Sequence, residues 1–330
     1  MSAIAARKVV VTGAGGFMGS HLCESLVRRG AVVRAMCRYT SRRSIGNLAE
    51  LPADVLDAID VQFGDIRDGD FVARLVAAED VVFNLAASIS VPHSFAAPRE
   101  VVMTNVEGAL NVLCAARKAD VGRAVQMSSS EVYGTAQYTP IDERHPLDAQ
   151  SPYAASKVGA DKIAESFSLA FDMPVVVARP FNTFGPRQSL RAVIPTVVAQ
   201  ALAGGRLSLG ALTPTRDFVY VLDTVAALIL LAELDDVSHG TYNVATGKDV
   251  SVGDVVALVG EILGRELAVD TEDVRLRPAN SEVHQLLGDA TRLHEATGWA
   301  PQTSLRDGLV SLIEWMRGTD VPSRSRAYSI

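Results

Sequence analysis

Lys8-Val9-Val10-Val11-Thr12-Gly13-Ala14-Gly15-Gly16-Phe17-Met18-Gly19 decides how the rest of the chain is read. Three consecutive valines bounded by Thr12-Gly13 form a β-branched apolar run, the pattern of a parallel strand buried on both faces. Glycines at 13, 16 and 19 follow in a G-x-x-G-x-x-G spacing; position 18 is Met, so the G-x-G-x-x-G form is not met. Residues 20–29 then carry Leu22, Leu26 and Val27 on one helical face. Strand, glycine turn and helix combine a tight turn, a close backbone approach for a pyrophosphate and a helix N-terminus that favours anions. Read alone, the same residues are only a glycine-rich turn between strand and helix.

A second stretch gives that turn a purpose. Ser151-Pro152-Tyr153-Ala154-Ala155-Ser156-Lys157 starts with a helix N-cap and a proline at the first helical position. Tyr153 and Lys157 are then four apart on one helical face, and Ile163, Phe167, Ala170 and Phe171 continue an apolar stripe that packs the helix. A phenol beside an ammonium is expected to ionise more easily and to act as a general base towards a hydroxyl. Most Tyr-x-x-x-Lys pairs are surface coincidences; the glycine-rich turn upstream is what gives this one weight.

Composition narrows the classes. With 330 residues and 48% hydrophobic content the chain can bury one large α/β unit or roughly two domains. A net charge of −7 and a pI near 5.4 argue against non-specific nucleic-acid binding. Cys23, Cys37 and Cys114 are scattered without a C-x-x-C pair, which suits a reducing cytoplasm, no disulfide and no metal site. The first apolar run is the opening strand, not a signal peptide. The apolar run at 225–234 is too short for a bilayer and reads as a core helix.

With both signatures present, the chain resembles the extended short-chain dehydrogenase/reductase family, specifically its nucleotide-sugar epimerases and dehydratases. Nearly the whole length carries the resemblance: Gly13 to Gly19, Gly64-Asp65-Ile66-Arg67-Asp68, Asn84-Leu85-Ala86-Ala87, Asn105, the Ser129/Tyr153/Lys157 set, Arg179-Pro180-Phe181-Asn182-Thr183-Phe184-Gly185-Pro186-Arg187 and Arg216-Asp217-Phe218-Val219-Tyr220-Val221. The resemblance implies an α/β fold: a Rossmann doubly wound parallel sheet over residues 1–178, with a smaller C-terminal α/β substrate lobe over 179–330. Segments near 217–245 should return to the sheet side. The helix starting at Thr104-Asn105 and ending near Lys118 should join the Tyr153 helix in a four-helix bundle that makes a homodimer.

The resemblance also implies site residues. Gly13, Gly16, Phe17, Met18, Gly19, Arg38, Asp65, Ile66, Leu85, Ala86, Ala87, Asn105, Tyr153 and Lys157 would hold an NAD or NADP cofactor. Ser129 would hydrogen-bond the sugar O4 and help Tyr153 take its proton. Ser88, Ser129, Asn182, Arg191, Val193, Arg216 and Arg277 would bind substrate, the arginines as candidates for a diphosphate clamp. His93, in the loop bordering the sugar pocket, is a further possible contact and as readily incidental. Where an NAD-selective site places Asp or Glu, after Val32-Val33-Arg34-Ala35-Met36, this chain has Cys37 and then Arg38-Tyr39-Thr40-Ser41-Arg42-Arg43. No carboxylate there repels a 2′-phosphate, so NADP is favoured over NAD; the bland reading is a solvated arginine loop.

Met127-Ser128-Ser129-Ser130-Glu131-Val132-Tyr133-Gly134 carries the dipeptide that bears on the reaction, Ser130-Glu131. In the resembled family plain 4-epimerases have small or neutral residues at the second position, whereas a carboxylate there matches sugar 4,6-dehydratases and uronate decarboxylases. The run from Arg179 through Gln188-Ser189 to Arg191-Ala192-Val193-Ile194-Pro195 is most similar to UDP-N-acetylglucosamine 4,6-dehydratases of legionaminate-type pathways. The expectation is therefore a lyase that eliminates water from a nucleotide sugar. Uronate decarboxylation and 4-epimerisation are its rivals, with a cofactor-sensing scaffold a fourth reading.

Overall fold

The computed structural model describes residues 3–204, 206–234, 240–272 and 283–319. Arg277, expected at the substrate diphosphate, lies outside the described residues. Thirteen strands lie among the described residues: β1 (Lys8–Thr12), β2 (Val32–Arg38), β3 (Ile59–Gly64), β4 (Val81–Asn84), β5 (Arg123–Met127), β6 (Val175–Pro180), β7 (Asn182–Phe184), β8 (Leu207–Leu209), β9 (Thr215–Tyr220), β10 (Gly240–Val244), β11 (Asp249–Ser251), β12 (Val269–Thr271) and β13 (Gln285–Leu286).

Seven of them form one parallel sheet in the order β10-β6-β5-β4-β1-β2-β3. The valine runs explain why: β5 and β6 are buried along their whole length and β1 at four of five positions, so both faces must be covered by helices. Helices Phe17–Arg28 and Val221–Ala232 cover one face, where Leu22, Leu26, Val225 and Leu228 share a core with Val9 and Val11. Helices Gly69–Val76, Gly108–Lys118 and Pro152–Phe171 cover the other through Val72, Val112, Ala116, Ala164 and Phe167. This is the doubly wound α/β fold that the sequence implies. Strand order reverses between β1 and β4, and a ligand crevice opens at such a reversal beyond the carboxyl ends of the strands.

The helix expected from residue 104 starts earlier, at Pro98, where proline fits the first turn. It then passes through one wider π turn, Met103–Glu107, before continuing as Gly108–Lys118. The apolar 225–234 run lies mainly in the buried helix Val221–Ala232, and no helix among the described residues is long and apolar enough to cross a membrane.

A smaller sheet of β7, β9, β11 and β13, with the β8–β12 pair, builds a second layer. Its core joins Phe184, Val197, Val198, Val255, Val259, Leu309 and Leu312 from helices Val193–Ala203, Val252–Leu263 and Leu305–Arg317. Within the 217–245 stretch, residues 217–220 stay in β9 of this sheet, and the chain crosses to the large one only from Val221 onward, ending in β10 beside β6.

Candidate active site

The glycine-rich turn closes tightly between β1 and the end of β4. Gly13 has φ +68°, and a Cβ there would stand 2.9 Å from the Ala86 backbone. A Cβ on Gly19 would meet the Gly13 carbonyl oxygen at 2.3 Å, so these two glycines are required by backbone packing. Gly16 is exposed and has no side chain capping the helix it starts, and the first turn holds no acid. The helix N–H groups at Phe17, Met18 and Gly19 are therefore presented to an anion. Beside them a cleft of about 170 Å³ is lined by Gly13, Met36, Arg38, Asp65, Ile66, Arg67, Ala86, Ala87 and Ser88, with Glu100 and Thr104 at its edge. Small residues, a basic side chain and an apolar floor in one elongated groove fit a dinucleotide.

Several residues expected at that groove have other partners. Asp65 is held by Arg67, with Nε–Oδ1 at 2.9 Å and Nη2–Oδ2 at 2.5 Å, and Arg67 keeps its carboxyl below the usual aspartate range. Asn105 sits one step behind the cleft: its Oδ1 accepts from the Ser88 N–H at 2.7 Å, and its Nδ2 donates to the Ser88 carbonyl and to Ser156 Oγ. The π turn aims it there, so it shapes the Ser88 loop instead of lining the groove. Leu85 and Ala86 present their N–H groups to Thr12 Oγ1 at 3.1 Å each.

Thr12 begins a buried polar line across the sheet. Its hydroxyl donates to Asn84 Oδ1 at 2.7 Å, Asn84 Nδ2 donates to Gln126 Oε1 at 2.8 Å, and Gln126 Nε2 donates to the Met127 carbonyl at 3.2 Å. The same carbonyl accepts from Lys157 Nζ at 2.6 Å. Glycine turn and lysine are thus tied through a chain of four hydrogen-bonded groups, an arrangement that rigidifies the strands it crosses. Thr12 and Asn84 stand in stretches that the sequence singles out, whereas Gln126 carried no sequence signal beyond polarity inside an apolar strand.

Ser151 caps its helix as read, accepting from the Ala154 N–H at 3.1 Å, with Pro152 in the first turn. Tyr153 and Lys157 are both buried on the inner face. Ser129 is near enough to the Tyr153 phenol to lower its pKa, and it accepts from the Glu131 N–H at 3.2 Å, starting the short turn Ser130–Tyr133. Ser130 is buried, Glu131 half-buried, and the Glu131 carboxylate is near enough to raise the pKa of Tyr153.

One expectation is overturned here. Tyr153 does not ionise easily in this state: burial pushes its pKa up to about 12, with only Ser129 opposing. Lys157 is not among the groups that act on it; its ammonium is turned to the Met127 carbonyl, and burial lowers its own pKa to about 8. Desolvation outweighs the expected charge effect for both groups.

Of the residues expected at the substrate, Ser88 and Ser129 lie beyond β4 and β5 of the large sheet, and Asn182, Arg191, Val193 and Arg216 in the small lobe. Asn182 opens β7 half-buried, opposite Phe218 of β9, and Arg216 is buried two residues earlier on β9 with Nη1 donating to the Thr215 carbonyl. Arg191 is exposed in the loop before Val193, the first residue of helix Val193–Ala203. His93 is drawn to Glu100, with Nε2–Oε2 at 3.3 Å, between two short helices at the edge of the cleft.

A seven-stranded parallel sheet with a dinucleotide groove and a Ser-Tyr-Lys set at one edge defines a short-chain dehydrogenase/reductase of the extended type. Residues 10–312 match the family model described as GDP-mannose 4,6 dehydratase, and the chain belongs to that family of nucleotide-sugar dehydratases and epimerases; it is an enzyme of this group. It is 34% identical over 316 residues to the low-salt glycan biosynthesis protein Agl12 of Haloferax volcanii, covering 94% of this chain and 99% of that one. Among solved structures it is similar to the UDP-N-acetylglucosamine 4-epimerase of Methanobrevibacter ruminantium in complex with UDP-N-acetylmuramic acid, with TM-score 0.87, 29% identity, and 95% and 99% of the two chains covered. It is likewise similar to the dTDP-glucose 4,6-dehydratase DesIV of Streptomyces venezuelae with NAD bound, with TM-score 0.85, 29% identity and coverage of 94% and 97%.

Proposed function

We propose that the chain is a nucleotide-sugar 4,6-dehydratase, acting on a hexose of the UDP-N-acetylglucosamine type and releasing a 4-keto-6-deoxy sugar. The reading rests on the Glu131 carboxylate, which stands on the turn beside Ser129 and bears on the Tyr153 phenol. Epimerisation needs one base at O4; elimination needs a second, at C5, and Glu131 is a carboxylate available for that. A nicotinamide, when bound, supplies a hydride acceptor and a positive ring charge. Tyr153, as the phenolate that the bound ring charge would favour against burial, takes the O4 proton with Ser129 holding the same oxygen, and Lys157 fixes the strand end through Met127. Oxidation at C4 acidifies the C5 proton, which Glu131 removes as the C6 hydroxyl leaves as water; return of the C4 hydride to C6, with a proton back at C5, would give the 4-keto-6-deoxy sugar. Asn182, Arg191 and Arg216, with Arg277, hold the diphosphate.

The Glu131→Gln enzyme is expected to oxidise C4 still, seen as absorbance at about 340 nm. Dehydration should fall about 10²–10⁴-fold, seen as loss of the product 18 Da lighter than substrate. Dehydration at the wild-type rate would overturn the role of Glu131. The 4-epimerase reading has in its favour the likeness to the Methanobrevibacter enzyme. Incubation with UDP-, GDP- and dTDP-hexoses and uronates separates the outcomes by mass: loss of water, loss of carbon dioxide, or no change.

Two further parts of the proposal concern cofactor and assembly. NAD is what the similar DesIV structure holds; for this chain NADP is the proposed preference. Arg38 lines the groove and is exposed after buried Cys37, and the Asp65 carboxylate is already neutralised by Arg67. Titration of the protein with both nucleotides tests this, and tighter binding of NAD would refute it. Val102, Met103 and Leu110 on one helix pair, and Leu169 and Phe171 on the Tyr153 helix, are exposed apolar side chains, which supports a homodimer through a four-helix bundle. A monomeric mass in sedimentation would refute it.

A further inference from the structure

Behind the Tyr153–Lys157 pair the same helix carries a third polar group. Tyr153, Lys157 and Asp161 recur every four residues and so share one helical face. Asp161 is completely buried. Its Oδ2 accepts from Ser128 Oγ at 2.8 Å and from Arg179 Nε at 3.0 Å, while Oδ1 makes no hydrogen bond. Arg179, 2% exposed on β6, donates Nη1 to the Tyr133 hydroxyl at 3.1 Å, and that hydroxyl donates to Asn243 Oδ1 at 2.7 Å. Each arm ends next to the chemistry: Ser128 precedes Ser129, and Tyr133 closes the turn that carries Ser130 and Glu131.

Burial raises the Asp161 pKa, but a guanidinium does not lose its proton inside a protein, so Arg179 opposes that rise and favours Asp161 as a carboxylate. Lys157 and Arg179 then place two positive charges around one negative charge, all three groups buried. Lys157 has one hydrogen bond, to a neutral carbonyl, and no ion pair among the described residues. We propose that Asp161 is a positioning residue of this active site: the buried counter-charge that keeps Lys157 an ammonium while its side-chain bonds fix the Ser128–Tyr133 turn. The proposal rests on the reading of Tyr153 and Lys157 as the acting pair.

The surrounding charges leave Asp161 this role. Burial lowers the Lys157 pKa to about 8, and Asp161 is the group that opposes the fall. On Tyr153 the anions that act are Glu131 and Asp161, both raising it. From β6 Arg179 faces Asp161, and from the catalytic turn Tyr133 faces Arg179. From the helices packed across, Glu100 and Glu107 act on Arg67. One carboxylate thus moves both titrations upward, and its loss should move both down.

The test is an NMR titration of the full-length protein labelled with [13Cε]lysine, the Lys157 resonance being assigned from Lys157→Arg. Its midpoint is expected near 8 in the wild type. In Asp161→Asn it should fall by about one pH unit, whereas Asp161→Glu, which keeps the charge, should retain the wild-type value. Asp161→Asn leaves Arg179 without its anion and is strongly destabilising if that arginine cannot reach water. The double variant Asp161→Asn/Arg179→Gln removes both charges and should show the same fall. An unchanged Lys157 midpoint in either folded variant overturns the proposal, and so does a double variant that cannot fold, since Asp161 would then serve architecture alone. A Tyr153→Phe enzyme with full turnover would instead refute the underlying reading, and leaves the NMR result to be judged separately.

Discussion

Two helices start at the same edge of the large sheet and are built in opposite ways. Phe17–Arg28 starts at an uncapped glycine with no acid in its first turn, so it acts through its backbone. Pro152–Phe171 starts at a serine whose side chain closes the first turn, and it acts through side chains at 153 and 157. The backbone site depends on where a Cβ has no room. The side-chain site depends on single atoms and on what burial does to their protons. The Thr12–Asn84–Gln126 line joins the two, ending on the carbonyl that also receives Lys157.

The largest test of that contrast is Tyr153→Phe. Removing one oxygen should lower turnover about 10²–10⁴-fold with nucleotide affinity and melting temperature little changed; a loss below tenfold would break the assignment of chemistry to this helix. Next comes His21, buried on the other helix with Nε2 2.9 Å from the Pro186 carbonyl. Burial lowers its pKa from 6.5 to about 4. The unfolded chain therefore binds this proton first, and stability from this group is lost as pH falls from about 6.5 towards 4, by about 3 kcal/mol in all. His21→Gln should flatten urea-unfolding stability over that interval; an unaltered acid slope would mean that His21 is not the titrating group. A smaller effect is expected from Gly13→Ala, where positive φ and the Ala86 backbone at 2.9 Å predict about 1–3 kcal/mol of destabilisation. Gly16→Ala, with a single contact at 3.1 Å, should cost less, and equal losses in thermal melts would erase the distinction between the two glycines.

The contrast also explains what could be read from the sequence. Glycine spacing and the valine runs state backbone requirements locally, so the parallel sheet and the first turn were legible. Tyr153 and Lys157 were legible because four residues on a helix is a fixed geometry. Their ionisation was not, since it depends on burial, which residue spacing does not carry. Asp161 lay in plain view one turn beyond Lys157, but its importance comes from Arg179 and Ser128, 18 and 33 residues away along the chain. Asn105 was expected at the cofactor because a helix reading has no means of showing the π turn that points it at Ser88. The crossing falls four residues after 217 for a similar reason: β9 and the helix after it are both buried, and only the pairing of β9 with β7 shows which layer holds it.

A single residue, Phe181, separates β6 of the large sheet from β7 of the small one, and among the described residues the chain crosses between the two layers again after Tyr220, after Val244, after Leu286 and after Trp299, before helix Leu305–Arg317. The two layers are stitched by five such passes of backbone. A hybrid enzyme spliced once near residue 180 would therefore carry a foreign β10 into the parent's sheet along with the foreign lobe. Exchanging sugar preference between relatives is thus a matter of replacing residues in situ or of grafting at five seams together, and a half-and-half chimera should fail at β10 before its specificity can be assayed.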